Sequence, residues 1–118
     1  RNLSEYIKLL GLRSNVVELM ANADVMILPS LHEGFPVVLV ESQAVGLSTL
    51  VADTVAEEVD LGLNLIEFVP LNNARDWALR ILSLDKEIVS NERILEKLSN
   101  LGFDVSQNSQ VLEKIYIA

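Results

Sequence analysis

With 118 residues the chain can build one hydrophobic core and is too short for two. Half of its residues are hydrophobic and 22% are charged, which excludes a disordered chain, and a net charge of −8 argues against nucleic acid, whose phosphates need a basic footprint. Without cysteine there is no disulfide framework or thiolate zinc site, a single His rules out a His-rich metal site, and no apolar run approaches the ~20 residues of a membrane span.

Residues 1–5 read as the end of a preceding helix and its turn. A chain that opens on Arg1, without Met or a signal-like segment, is expected to be a piece of a longer protein. Tyr6 to Leu10 reads as a short strand closed by Gly11. Asn15 with Glu18 three residues on has the form of a capping box, and Val16, Leu19, Met20 and Ala23 would face the core of the helix that follows. Met20 fits there as core filler.

Asp24 to Pro29 is an apolar run of buried-strand length. It leads into the polar loop Ser30-Leu31-His32-Glu33-Gly34-Phe35. Pro36, with its fixed φ and missing N–H, suits the first position of a helix running through Val37, Val38, Val40, Glu41 and Ala44 to Gly46, a natural C′ residue. Strand, loop and helix in this order form the place where open α/β sheets bind ligands. The helix start at Pro36 to Leu39 is an anion site aided by the helix dipole. Glu41 lies about 7 Å further along the axis. A carboxylate on so apolar a helix is costly unless partners meet it. A diphosphate on the helix end would bring an attached ribose near Glu41 and an attached sugar near Glu33.

Ser48 to Ala52 reads as the next buried strand, with a tight turn at Gly46 to Ser48. Glu57 and Glu58 read as a solvated helix start. Leu65 to Pro70 reads as a short edge strand, because Pro70 forbids continuing it centrally. Asn73 can cap a helix whose Trp77, Ala78, Ile81 and Leu82 face inward. Packing is the favoured role for Trp77 over stacking on a base. Ile88, Ile94, Leu95, Leu98 and Leu101 form the stripe of a further helix stopped by Gly102, and Val105 to Tyr116 is a last amphipathic segment.

Glu33 and Glu41, with seven residues between them around Gly34-Phe35-Pro36, resemble the E-x7-E motif of retaining glycosyltransferases of family 4, which have two Rossmann-like domains. Leu10-Gly11-Leu12-Arg13-Ser14-Asn15-Val16, Ala23 to Ser30 and Gly46 to Asp53 stand in the order that family uses. The resemblance covers most of Lys8 to Leu84. It implies an α/β fold with a Rossmann-like parallel sheet flanked by helices. Residues 1–118 would be one N-terminally truncated nucleotide-sugar-binding domain, the C-terminal half of such an enzyme, with the acceptor-binding domain absent.

The resemblance also implies roles. Glu33, the candidate catalytic residue, would meet hydroxyls of the donor sugar. Gly34, Phe35, Pro36, Val37 and Val38 would present the backbone to sugar and diphosphate, and Glu41 would hold the ribose hydroxyls. The backbone after Gly11, at Leu12 or Arg13, would lie beside the base or be a plain connecting loop. His32 stands where relatives carry an aromatic ring, which favours packing at the cleft edge over acid–base work. Ser48 replaces a usual Pro, and the stretch after Asp53 lacks the glycine pair of many relatives, which leaves the donor sugar open.

The expected activity is sugar transfer from a nucleotide diphosphate sugar, a UDP-sugar above all, in bacterial surface polysaccharide synthesis. No metal or other cofactor is implied, and an Arg and a Lys for the phosphates would precede Arg1. The acceptor would be a saccharide or a lipid-linked sugar held by the missing domain. The enzyme would be cytoplasmic, at the inner face of the membrane in peripheral association, and the isolated piece is expected to self-associate. The alternatives are a nucleotide-sugar epimerase of the same fold and a non-catalytic binding domain.

Overall fold

The computed structural model describes residues 3–31, 36–84 and 89–100. In chain order it contains α1 (Val16–Ala21), β1 (Met26–Leu28), α2 (Val37–Ala44), β2 (Thr49–Ala52), β3 (Ile66–Val69), α3 (Ala74–Ser83) and α4 (Asn91–Asn100). The three strands form one parallel sheet in the order β1-β2-β3. Met26 pairs with Thr49, which pairs in turn with Ile66. Thus, among the described residues, β2 is central and buried along its whole length, and β3 is an edge strand that stops before Pro70.

Helices cover both faces, the arrangement a parallel sheet needs. On one face Leu39 of α2 packs with Val51, Val55 and Val59, joined by Met26, Leu28 and Phe68. On the other, Leu50, Ala52 and Val69 pack under Trp77 of α3. Leu39, Leu50 and Val51 are wholly buried, and each contributes about 1.5–3 kcal/mol by leaving water. A third cluster joins Ile94 and Leu98 of α4 to Ala44 of α2 and to Leu61, Leu63 and Leu65 of the β2–β3 connection.

The close of α2 follows from one residue. Gly46 takes φ +75, donates its N–H to the carbonyl of Gln43 at 3.0 Å, and lets Leu47 donate to Ser42 at 2.9 Å. These two bonds form a Schellman motif, which satisfies carbonyls the helix end would otherwise leave open and turns the chain directly into β2.

Several expectations need correction. Tyr6 to Leu10 is not a strand: Tyr6 and Ile7 both donate to the carbonyl of Leu3 in a turn, and the stretch is exposed. A β-propensity run becomes a strand only beside a pairing partner, and none meets it among the described residues. The capping box does not form either, because Asn15 Oδ1 accepts from Arg13 Nε at 3.1 Å and makes no bond to the first turn. In α1 the buried residues are Val17 and Met20, while Val16 and Leu19 are exposed, as is Ala23 beyond the helix end. The helix is only six residues long, so one residue of phase decides its face. In α3 Trp77 is buried and Ile81 half-buried, but Ala78 and Leu82 are exposed. The sheet below this helix is narrow, and only one row of it meets the core. Glu57 and Glu58 do stand exposed at a helix start, and the helix is the 3₁₀ turn Glu57–Val59. Ile88, Leu101, Gly102 and the segment Val105 to Tyr116 lie outside the described residues.

Candidate functional site

The site is built where β1 ends and α2 begins, at the carboxyl edge of the sheet. Pro29 and Ser30 follow β1, and Pro36 precedes the first residue of α2. Pro36 is the N-cap, one position earlier than expected. Its φ of −77 and ψ of 103 are extended, and its carbonyl accepts from Leu39 N–H at 3.0 Å. Since proline has no N–H and that of Leu39 is used, the first-turn donors of α2 reduce to Val37 and Val38.

The helix presents two different arcs. Leu39, Ser42 and Gln43 face the interior, whereas Val37 is 62% exposed and Glu41, one turn later, is half-buried. Glu41 therefore does not stand in the apolar interior, and solvent lowers the cost of its charge. It shares the open side of the helix with Val37, four residues earlier. Among the predicted site residues, the structure brings Pro36, Val37, Val38 and Glu41 together on one helix end. Glu33, Gly34, Phe35 and His32 lie outside the described residues.

Two polar anchorages in this region were missed by sequence reasoning. Gln43 is wholly buried. Its Nε2 donates to the carbonyls of Leu39 at 2.9 Å and Val59 at 2.7 Å, and its Oε1 accepts from Leu61 N–H at 2.9 Å. It thus ties the β2–β3 connection to α2. The available signal was its spacing, four residues after Leu39 and so on the same buried arc. Beside it Ser42 donates to Leu39 O at 3.0 Å, and the Thr49 hydroxyl lies 3.2 Å from Ser42 Oγ. Among the described residues no buried side-chain nitrogen or oxygen lacks a partner.

The second anchorage is Thr54, whose hydroxyl donates to the carbonyl of Ser30 at 2.6 Å. No periodicity marks such a link, since it joins positions 24 apart across two loops.

Elsewhere, Trp77, Ala78 and Ile81 of α3 form, with Ile27, Pro29 and the turn at Leu71 to Asn73, an apolar groove of about 420 Å³. It lies on the opposite face of the sheet from α2. Among the described residues no cluster of three or more His, Asp or Glu could hold a metal ion, and no helix is long and apolar enough to cross a membrane.

A parallel sheet with helices on both faces, and a helix N-terminus at its carboxyl edge, defines a Rossmann-like α/β unit of the kind used by two-domain glycosyltransferases. The chain belongs to the glycosyl transferases group 1 family, whose model matches residues 1–87. It is similar to the Bacillus subtilis protein named "Putative glycosyltransferase EpsF", at 39% identity over 118 residues, covering 98% of this chain and 31% of that protein. It is also similar to the UDP-Gal:alpha-D-GlcNAc-diphosphoundecaprenol alpha-1,3-galactosyltransferase of Escherichia coli, at 29% identity over 98% of this chain and 31% of that protein. A shorter match, 50% identical over 44 residues, joins 37% of the chain to 12% of the N,N'-diacetylbacillosaminyl-diphospho-undecaprenol alpha-1,3-N-acetylgalactosaminyltransferase of Campylobacter jejuni. The chain spans 31% of the length of the two relatives it matches end to end. No solved structure matches it significantly.

Proposed function

We propose that the chain is the donor-binding part of a longer, retaining glycosyltransferase of the family 4 type. The observation that carries this reading is the position of Glu41, on the open side of α2 and one turn from a helix end that faces the carboxyl edge of the sheet. On this reading the amides of Val37 and Val38 and the dipole of α2 receive the diphosphate. Glu41 then accepts from the ribose hydroxyls, and Glu33 orients the sugar. Neither glutamate acts as a nucleophile. The enzyme accelerates transfer by aligning donor and acceptor and by stabilising charge on the departing diphosphate.

The donor is a UDP-sugar, and no metal or other cofactor takes part. The galactosyltransferase and N-acetylgalactosaminyltransferase relatives are named for sugars carried on undecaprenol diphosphate. By analogy, the acceptor here is a lipid-linked saccharide, met at the inner face of a bacterial membrane during surface polysaccharide assembly. The acceptor site belongs to the part of the enzyme outside these 118 residues. The chain by itself, holding half of a two-domain cleft, transfers no sugar.

Isothermal titration of the whole enzyme with UDP tests the reading. One hydrogen bond to a charged group contributes about 1.5–3 kcal/mol, so Glu41→Gln should weaken UDP binding roughly ten- to a hundredfold. Glu33→Gln should bind UDP almost normally, since UDP has no sugar, yet lower kcat. Two variants that both bind and turn over like the parent would remove this site from the enzyme.

A further inference from the structure

We propose that Gln43 is a positioning residue for the donor site, holding α2 in the one place from which Val37, Val38 and Glu41 can serve it. The inference rests on the donor site proposed above.

Gln43 cannot touch a ligand there. It is wholly buried and stands two residues after Glu41, roughly 200° further round the helix. Its contacts lie on the β2–β3 connection instead. Nε2 donates to the Val59 carbonyl at 2.7 Å, and Oε1 accepts from the Leu61 N–H at 2.9 Å. Both partners are fixed in the core, Val59 with Leu39 and Val51, and Leu61 with Ala44 and Ile94. The carboxamide is thus gripped by the backbone on either side of Asp60. Its further bond to the Leu39 carbonyl, at 2.9 Å, holds it against its own helix.

Apolar contacts alone would not fix α2 in this way. Leu39 and Ala44 hold the helix to the core, but such packing is non-directional and repacks with small shifts. Hydrogen bonds weaken steeply as they bend. With a donor and an acceptor engaged at once, sliding or turning the helix strains one bond or the other. Val37, Val38 and Glu41 ride on this same eight-residue helix, so its placement is theirs. Without the two bonds α2 takes several placements, and ligand affinity falls with the fraction that is competent.

The whole enzyme carrying Gln43→Met or Gln43→Glu tests the proposal. UDP affinity would be measured by titration at a temperature where circular dichroism shows the variants folded. Methionine keeps the unbranched shape and removes both bonds. Gln43→Met should weaken UDP binding roughly three- to tenfold, as loss of neutral hydrogen bonds implies. Gln43→Glu adds a readout that packing cannot mimic. A protonated carboxyl donates to Val59 and accepts from Leu61 as the carboxamide does, whereas a carboxylate cannot donate. Burial raises the pKa of such an acid. Its UDP affinity, relative to the parent at each pH, should therefore recover from about pH 8 to about pH 5.5, while the deficit of Gln43→Met stays flat. The charged groups on the surrounding elements, Glu41, Glu57, Glu58, Asp60 and Lys97, are shared by parent and variants and cancel in that ratio.

UDP affinity of Gln43→Met equal to the parent overturns the proposal, as does a Gln43→Glu ratio that ignores pH. Should Gln43→Met not fold, the pH response of Gln43→Glu decides alone. Trp77→Phe, on the opposite face of the sheet, supplies a loss of stability away from α2. An equal loss of UDP affinity there would make the effect a general one and also overturn the proposal. Glu41→Gln separates the two readings. If it loses UDP affinity while both Gln43 variants bind like the parent, the positioning role fails and the donor site stands. If Glu41→Gln binds UDP like the parent, the donor site itself fails and the positioning role goes with it.

Discussion

Trp77 donates its indole N–H to the carbonyl of Pro70 at 3.0 Å, joining the first turn of α3 to the end of β3. The same ring covers Leu50, Ala52 and Val69. One side chain thus seals the α3 face of the sheet and satisfies a carbonyl at the strand exit. Asn73 helps by accepting from Asp76 N–H at 2.9 Å at the helix start, and Arg80 pairs with Glu67 at the exposed rim.

Trp77→Ala should therefore cost about 3–5 kcal/mol, and Trp77→Phe less, since it keeps most of the packing and loses one hydrogen bond. Denaturant titration followed by far-UV circular dichroism measures both. Because Trp77 is the only tryptophan and is 7% exposed, the native emission should be blue-shifted and move red in step with unfolding. A native spectrum already at the exposed position would contradict the packing described.

Replacing Gln43 tests the buried carboxamide. Gln43→Leu keeps the volume but strands the Val59 carbonyl and the Leu61 N–H, each costing about 1–3 kcal/mol when left buried and unpaired. Gln43→Glu should cost more at neutral pH, because it places a charge at a wholly buried position beside carbonyl oxygens. Thermal melts of the two variants should rank parent, Leu, Glu. A Glu variant as stable as the parent would show that the site is open to water.

Gly46 should resist substitution for a backbone reason. A Cβ there would meet Ile94 at 3.9 Å, an ordinary contact, so space is not the obstacle. The φ of +75 lies in the left-handed region, and leaving an L-residue there costs about 1–2 kcal/mol. Gly46→Ala should lose that much by chemical denaturation, and Gly46→Asn clearly less. Equal losses for the two would point to crowding instead.

Among the described residues the outer edge of β1 is unpaired, and Ile27 of this strand, 47% exposed, lines an apolar groove. An unpaired strand edge with apolar neighbours is a template for another chain. The isolated 118-residue chain should sediment above its monomer mass at high concentration, and Ile27→Lys should return it towards monomer. A parent chain that stays monomeric at every concentration would mean that the edge is already covered.

How much was legible in advance follows from how local each signal is. The order of β1, α2, β2, β3 and α3 could be read because Pro36, Gly46, Pro70 and Asn73 are punctuation whose action spans a few residues. The phase of α1 was lost because six residues carry less than two turns of pattern. The strand expected at Tyr6 to Leu10 failed because pairing depends on a neighbour, not on composition. At the site, Glu41 and the helix start followed from a local motif. Gln43 and Thr54 did not, since their partners at Val59, Leu61 and Ser30 lie 16 to 24 residues away. Long-range polar links have no period to betray them.

The connection from β2 to β3 crosses with a single 3₁₀ turn where parallel strands commonly use a full helix. It has few hydrogen bonds of its own and borrows them from a side chain of α2. The crossover and α2 should therefore open as one cooperative unit, while β3 and α3 open separately. Native-state hydrogen exchange would register this as a Leu61 amide protected to the same free energy as the interior of α2. In this fold a helix at the carboxyl edge of the sheet and a distant connection share one stability, so loosening either would be felt at both.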